Sequence, residues 1–494
     1  MDFLDPRKRR AHKIRLMVGY VLVAIAIAMS TIVLVYGANG YGVNTKTGAI
    51  VQNGLLFINS QPGGAEIYLN GVDQYKGTSA RMVIPTGDYT LTLKKSGYRT
   101  WQRSFTLEAS TIDRYIYPFL FPVTPKLATL ANYATQPTLI TESPDQHWLL
   151  VQDPSSNGLS FSRYDTGALT KAPTTVSLPT NLETLSSSPT PYSVVEWSTD
   201  NNNVLLKHSV DGVDEYIVFD HNKPSDSFNV NKTFHANPTK VFLHNKKVSQ
   251  LYFYDQASKT LSIADVNKAS IAEPMLNDVL AAKPYGNDIV SYVTDKNQAA
   301  GQVQAKIWSN GQSFPLYTFS AGTYYLIDEA QFQGHWYYLA GSDTNKRVDI
   351  FKDPLSDIQN SSIGKALPTI ALNVDGANQE SFSNNSRFIA IENGQSFGVY
   401  DMETKESYQY RLKAPLLAPL AWMDGHRLMG QSDGKFFVTD YDSTNQQILL
   451  ATSMTNGGFF SKDYNHLLTV QLKTDGTYDL VNVDMRAGVD LPKK

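Results

Sequence analysis

The chain has 494 residues, too many for one ordinary domain of roughly 150, and 42% of it is hydrophobic, enough to bury real cores. Its 43 basic and 46 acidic residues leave a net charge of -3, which gives no electrostatic reason for a nucleic-acid partner. The absence of cysteine excludes disulfides, thiolate metal sites, iron–sulfur clusters and a cysteine nucleophile together. Exported domains without that staple must hold by core packing, a pattern that suits a bacterial cell surface better than an animal secretory pathway.

Residues 16–36 carry no charge. As a helix rising about 1.5 Å per residue they span roughly 31 Å, the hydrocarbon thickness of a bilayer. Arg7, Lys8, Arg9, Arg10, Lys13 and Arg15 precede them, and the next basic residue is Lys46. That asymmetry predicts a cytoplasmic N-terminus and an extracytoplasmic bulk. A cleaved signal peptide is the alternative, with Val35 and Gly37 as loosely suitable small residues, but its apolar region is usually only 7–15 residues. Residues 37–53, rich in Gly, Asn and Thr and without apolar periodicity, read as a tether.

Residues 54–117 read as short strands broken by turns. Strands are expected over 55–59, 65–69, 82–84, 89–93 and 103–107. Asn70-Gly71 is a strong hairpin signal, and Tyr89, Leu91 and Leu93 alternate with Thr90 and Thr92. The result is a small antiparallel β-sandwich. The run Pro62-Gly63-Gly64-Ala65, with Ile67, Leu69, Asn70-Gly71, Pro85-Thr86-Gly87, Tyr89, Gly97-Tyr98 and Trp101, resembles the PEGA domain. Two positions depart from the family pattern. Gly63 stands where the family usually has Glu, and Lys76-Gly77-Thr78-Ser79 replaces its Gly-Lys-Thr-Pro turn. The resemblance covers about 60 residues and implies an adhesion or spacer module of the cell surface, not an enzyme.

Further along, one unit recurs: a polar turn, an apolar strand, a loop, and a second strand that closes on an apolar-Asp pair. The strand ends are Tyr164-Asp165, Phe219-Asp220, Ala264-Asp265, Ser309-Asn310, Lys352-Asp353, Tyr400-Asp401, Thr439-Asp440 and Val483-Asp484, spaced 55, 45, 45, 43, 48, 39 and 44 residues apart. Polar turns at 143–145, 198–200, 383–385 and 461–463 lead into apolar runs. A period near 45 with short strands and no helical spacing predicts propeller blades. Eight units predict eight blades, or seven if the unit around Trp308 is an insertion. The pattern is similar to TolB-like and WD-type propellers. The repeated aspartates are expected to cap the amides of the turns that follow them.

Little in the chain points to chemistry. Gly394-Gln395-Ser396-Phe397-Gly398 and Gly430-Gln431-Ser432-Asp433-Gly434 match the nucleophile-elbow spacing. Both lie between β runs, whereas an elbow needs a strand before it and a helix after it, so hairpin turns are expected. The nine histidines (His12, His147, His208, His221, His235, His244, His335, His426 and His466) are scattered. No calcium loop or phosphate-binding glycine loop is present. Aromatic runs at 251–254 and 336–339 are expected to pack between blades, or alternatively to offer a sugar- or peptide-binding surface at the propeller mouth.

These readings predict a mainly β protein: basic tail 1–15, transmembrane helix 16–36, linker 37–53, PEGA-like sandwich 54–118 and β-propeller 119–494. The expected role is a non-enzymatic, membrane-anchored binding or scaffold protein of the cell envelope. Its expected partners are the lipid bilayer, through residues 16–36, and an envelope protein or glycan. An envelope hydrolase or lyase working in the propeller channel, and a sensor or assembly factor of an envelope machine, are the alternatives. No catalytic, cofactor-binding or metal-ligating residue is assigned.

Overall fold

The computed structural model describes residues 6–38, 40–43, 50–156, 158–184, 191–286, 288–360 and 364–486, with side chains from Arg10 onward except that of Val43. Outside the described residues lie the first five of the expected tail, Asn39 and 44–49 of the expected tether, and 157, 185–190, 287, 361–363 and 487–494 of the expected propeller. So do the side chains of Arg7, Lys8 and Arg9. The chain divides into two compact units, the first comprising the residues up to Thr124 together with Arg486 and the second running Pro125–Met485.

The first unit opens with helix α1 (Pro6–Ala38). It starts ten residues before the apolar run because the basic residues ahead of that run are themselves good helix formers. Its apolar window is 0% buried, and at its end Tyr36 lies against Tyr41 with ring centroids 5.1 Å apart. Two four-stranded sheets follow. In one, Ile50–Ile58 pairs with Tyr41–Val43 and Ala80–Pro85 antiparallel and with Ile112–Tyr115 parallel. In the other, the order is Val72–Gly77, Glu66–Leu69, Gly87–Lys94, Trp101–Leu107. Leu56, Ile58, Ile67, Leu69, Leu91, Leu93 and Trp101 fill the space between them.

Two boundaries differ from expectation. The tether is partly strand, since Tyr41↔Gln52 and Val43↔Ile50 are in register. Polar Gln52 and Asn53 interrupt the apolar pattern there and hid the strand. Residues 119–124 belong with the sandwich, because Leu120 is buried in its core.

The second unit is eight antiparallel sheets of four strands each. Seven are continuous in sequence: blade 1 (140–177), blade 2 (193–229), blade 3 (240–271), blade 4 (279–320), blade 5 (325–372), blade 6 (379–411) and blade 7 (421–451). Blade 8 joins Phe459–Phe460, His466–Leu472 and Tyr478–Asp484 to Lys126–Tyr133 from the start of the unit, with Val483↔Leu127 and Tyr478↔Tyr133 in register. The expected two-strand unit is the second and third strand of each blade. These middle strands are apolar on both faces because every blade is sandwiched between two others. On blade 1, Leu150 packs with Phe161, Val204 and Phe219 toward blade 2, while Leu149 and Val151 pack with Leu468, Val470 and Leu480 of blade 8. Similar clusters join blades 2 to 3, 3 to 4, 4 to 5 and 5 to 6. Phe388 stacks on Trp422, and Phe436 packs on Phe460, at the two remaining junctions. The ring is therefore closed, and the unit around Trp308 is a full blade, so the count is eight.

Candidate functional site

The first strands of the blades converge on the axis. Lys283 of blade 4 reaches Asp328 of blade 5 at 2.7 Å and Glu380 of blade 6 at 2.9 Å. A side chain spans two blade positions in this way only where the strands crowd together at the centre. Burial alone would lower the Lys283 pKa, but the Coulombic pull of Asp328 and Glu380 more than offsets it and holds the ammonium above its ordinary value. Burial pushes the Glu380 carboxyl up to about 7, Lys283 opposes that, and Asp328 adds to it. Beside them Glu329 is fully buried and held by Ser291 Oγ, and burial raises its pKa well above the carboxylate range.

Elsewhere on the axis Glu196 accepts from Lys246 Nζ at 2.5 Å and from the Leu243 amide at 2.5 Å, tying blade 2 to blade 3. Glu142 of blade 1 is pushed up to about 8 by burial. Facing carboxylates thus exist in the channel, which the sequence could not reveal, but Asp328 and Glu380 are shared by one ammonium. Chemically the cluster binds the ring together and keeps a proton near neutrality.

The residues marked by the sequence fall elsewhere. Ser396 opens the third strand of blade 6 just after the turn at Gly394, and Ser432 ends the second strand of blade 7 just before the Asp433-Gly434 turn. Both belong to hairpins, as expected, but on opposite limbs, so their turns are not built alike. The cap role holds for four aspartates: Asp165 accepts from the Gly167 amide, Asp220 from Asn222 and Lys223, Asp265 from Lys268, and Asp401 from Glu403. Two others work differently. Asp353 accepts from the Trp336 amide and lies 2.6 Å from His335, and Asp440 accepts from Asn445 Nδ2. Asn310 with Gly311 has positive φ at both residues, a turn that asparagine and glycine suit better than aspartate does.

Tyr252 and Tyr254 pack toward blade 4 and Phe253 toward blade 2, while Tyr338 faces blade 4 and Tyr337 blade 6. These aromatics serve the blade interfaces and offer no exposed stacking surface. His208 lies in a buried cluster, its Nε2 2.6 Å from Glu215 and its ring stacked on Tyr192 at 4.1 Å. Glu215 also takes hydrogen bonds from Thr184 and Asn229. Burial alone would raise the Glu215 carboxyl, but these donors and His208 hold it below its ordinary value. Nothing in the spacing of His208 announced that cluster. Among the described residues, no three acidic or histidine side chains converge in a way that could hold a metal ion.

In the sandwich, Thr78 of the altered family turn is the structural pivot. Its Oγ1 accepts from the Ala65 amide at 3.0 Å and lies 2.6 Å from Ser60 Oγ. At the departing position, Gly63 has ordinary φ and an added Cβ would make only ordinary contacts, 3.9 Å from the Ser60 carbonyl and 4.0 Å from that of Thr78, whereas Gly64 carries the positive φ of 74°. The fold therefore tolerates the change at Gly63.

No curated protein matches the chain. Several solved propellers are similar at low identity. Hsv2 of Kluyveromyces lactis is 11% identical, with 71% of this chain and 97% of that chain covered and a TM-score of 0.38. The Dos1 propeller is 13% identical, with 72% and 94% covered and a TM-score of 0.42. The Cps50 (Swd1) β-propeller domain of Myceliophteria thermophila is 9% identical, with 74% and 100% covered and a TM-score of 0.36. At such scores the strand order of the eight blades, not these likenesses, establishes the fold. Residues 53–116 match the family model of the PEGA domain, so the first unit carries a PEGA domain.

Proposed function

We propose that this protein is a non-enzymatic binding or scaffold protein of the cell envelope, held in the membrane by α1, with its sandwich and propeller outside the cytoplasm. The observation that carries the anchoring is the helix itself. Its apolar window has a mean hydropathy of 2.6 and is 0% buried, with Val33 and Leu34 about 70% exposed, so it needs a bilayer in place of a core. The positive residues ahead of it favour a cytoplasmic N-terminus. The binding role is supported by a closed ring in which Lys283 is shared by Asp328 and Glu380 and Lys246 holds Glu196, and by a module of a family that implies adhesion. Its partner is a protein or glycan of the envelope.

Protease added to intact spheroplasts should digest residues beyond Tyr36 and spare the tail; a mature chain starting near Ala38 would overturn the anchor. Capture of a reproducible envelope component by the detergent-solubilised chain tests the binding role. A channel hydrolase is the second reading, favoured by the raised carboxyls of Glu142 and Glu380. It requires a glycan- or peptide-cleaving activity that Glu142→Gln or Glu380→Gln removes.

A further inference from the structure

We infer that the groove between blades 6 and 7 binds an acidic, extended peptide segment of a partner protein. The groove is a cavity of about 450 Å³ on the ring's outer flank, a size typical of ligand sites. One limb is the end of blade 6, where Arg411 closes the outer strand and Lys413 follows it. The other limb is the second hairpin of blade 7, with Asp433 and Lys435, and the outer strand Gln447–Ala451 that ends the blade's sheet. Three cations thus face one acid. Arg411 is steadied by Gln395, donating to its Oε1 at 2.8 Å. Lys413 and Lys435 are exposed, and among the described residues neither enters an ion pair. On a chain of net charge -3 this is a local reversal of sign.

The same construction occurs elsewhere on the ring with different chemistry. Between blades 8 and 1, a cavity of about 320 Å³ is formed by residues 130–135, at and after the end of the outer strand, and by the corresponding hairpin of blade 1. Its one charged lining residue is Asp153. Blade geometry therefore produces such a groove without requiring cations in it, and the basic lining of the first belongs to that site. The alternation there of cations with Leu412, Ala414 and Ile448 suits a peptide whose acidic and apolar side chains alternate. Ile448 is 54% exposed, whereas the lining ring, Phe437, is buried at 3%. A glycan would want an exposed aromatic to stack on, and the lining residues supply none.

This inference refines the binding reading and rests on it, but it does not depend on the anchor or the topology. The test uses the purified full chain in detergent and a fluorescent ten-residue peptide of alternating Glu and Val. Anisotropy should show saturable binding that weakens with added salt. The peptide with Gln for Glu should fail to bind. Lys413→Glu combined with Lys435→Glu should weaken binding at least tenfold with an unchanged melting curve, and Asp153→Lys should leave it alone. If the double reversal disturbs the fold, the milder Lys413→Gln with Lys435→Gln should still weaken binding severalfold. Equal binding by the neutral peptide, or by the substituted protein, would overturn the assignment. Tighter binding of an oligoglucuronate than of the peptide would overturn it in favour of an anionic glycan. Failure here, with envelope capture intact, would leave the binding role standing and remove only this groove.

Discussion

At the scale of single residues, charge and backbone conformation decide most outcomes. Asn70 and Gly71 have φ of 49° and 78°, the two positive values of a type I′ turn, and Asn70 Oδ1 accepts from the Thr90 amide at 2.7 Å. Space is not limiting at Gly71, because an added Cβ would meet nothing within 4 Å. Gly71→Val should therefore cost about 1–3 kcal/mol through φ alone, read as a lowered unfolding midpoint of the first unit. Lys283 is the converse case, where the partners matter more than the residue. Lys283→Met leaves Asp328 and Glu380 crowded on the axis without their cation. Because 39% of the lysine side chain is still solvent-reached, the expected loss is about 1–3 kcal/mol at pH 8, at or below the low end for buried pairs. The loss should shrink toward pH 5 as Glu380, whose carboxyl burial pushes up to about 7, takes up a proton; a loss that does not vary with pH would show that packing, not charge, is what Lys283 supplies.

At His426 the pKa shift runs the other way, downward. Burial lowers its pKa from 6.5 to about 4, while Asp424 opposes and Arg427 adds to that shift. Its ring packs against Phe388 and Tyr441. The unfolded chain then takes up a proton before the folded one does. Stability from this group is complete above pH 6.5 and is lost as pH falls toward 4. Urea midpoints measured across that window should fall with acid, and His426→Gln should flatten the fall.

At the scale of elements, one turn is built four times. Ser143, Ser198, Ser383 and Ser461 each donate to the Asp or Asn two residues on and each accept from the amide five residues on. In every case the residue three after the serine has positive φ: Gln146, Asn201, Ser386 and Tyr464. Ser→Ala at any one of them should cost about 1 kcal/mol, since a single hydroxyl satisfies two partners. The elbow-like hairpins are ordinary by comparison. Ser396→Ala with Ser432→Ala should leave the melting temperature and partner capture unchanged; loss of a hydrolytic activity in that folded variant would replace the binding reading with an enzymatic one.

For the whole molecule, closure is the property on which the rest depends. Among the described residues Lys126–Tyr133 pairs only with Tyr478–Asp484, so the beginning and end of the second unit are one sheet. Deleting the chain from Ser461 onward removes the two middle strands of blade 8, leaves Phe459–Phe460 and Lys126–Tyr133 without their partners, and uncovers apolar faces of blades 7 and 1 together. The product should aggregate, as unprotected edges and faces do, and a soluble monomer by sedimentation would argue that the ring does not depend on its last blade.

What was legible in the chain follows from where each strand sits. Middle strands such as Phe388–Glu392 are apolar on both faces because they are covered on both, so the 45-residue period, the hairpin at Asn70-Gly71 and the apolar helix stand out locally. Outer strands such as Ser407–Arg411 and Ser270–Ile271 are largely exposed, and their composition is that of loops. The strand at 41–43 and the boundary near residue 124 were hidden for a related reason, since pairing and core contact, not composition, define them. The axial cluster could not be read at all. Lys283, Asp328 and Glu380 are separated by 45 and 97 residues from the lysine, and their sharing of charge exists only once three blades converge. Local sequence determined the strands and turns through side-chain size and φ preference. Ring closure and the pairing of distant charges were decided by tertiary structure, because both are relations between blades that no single repeat contains.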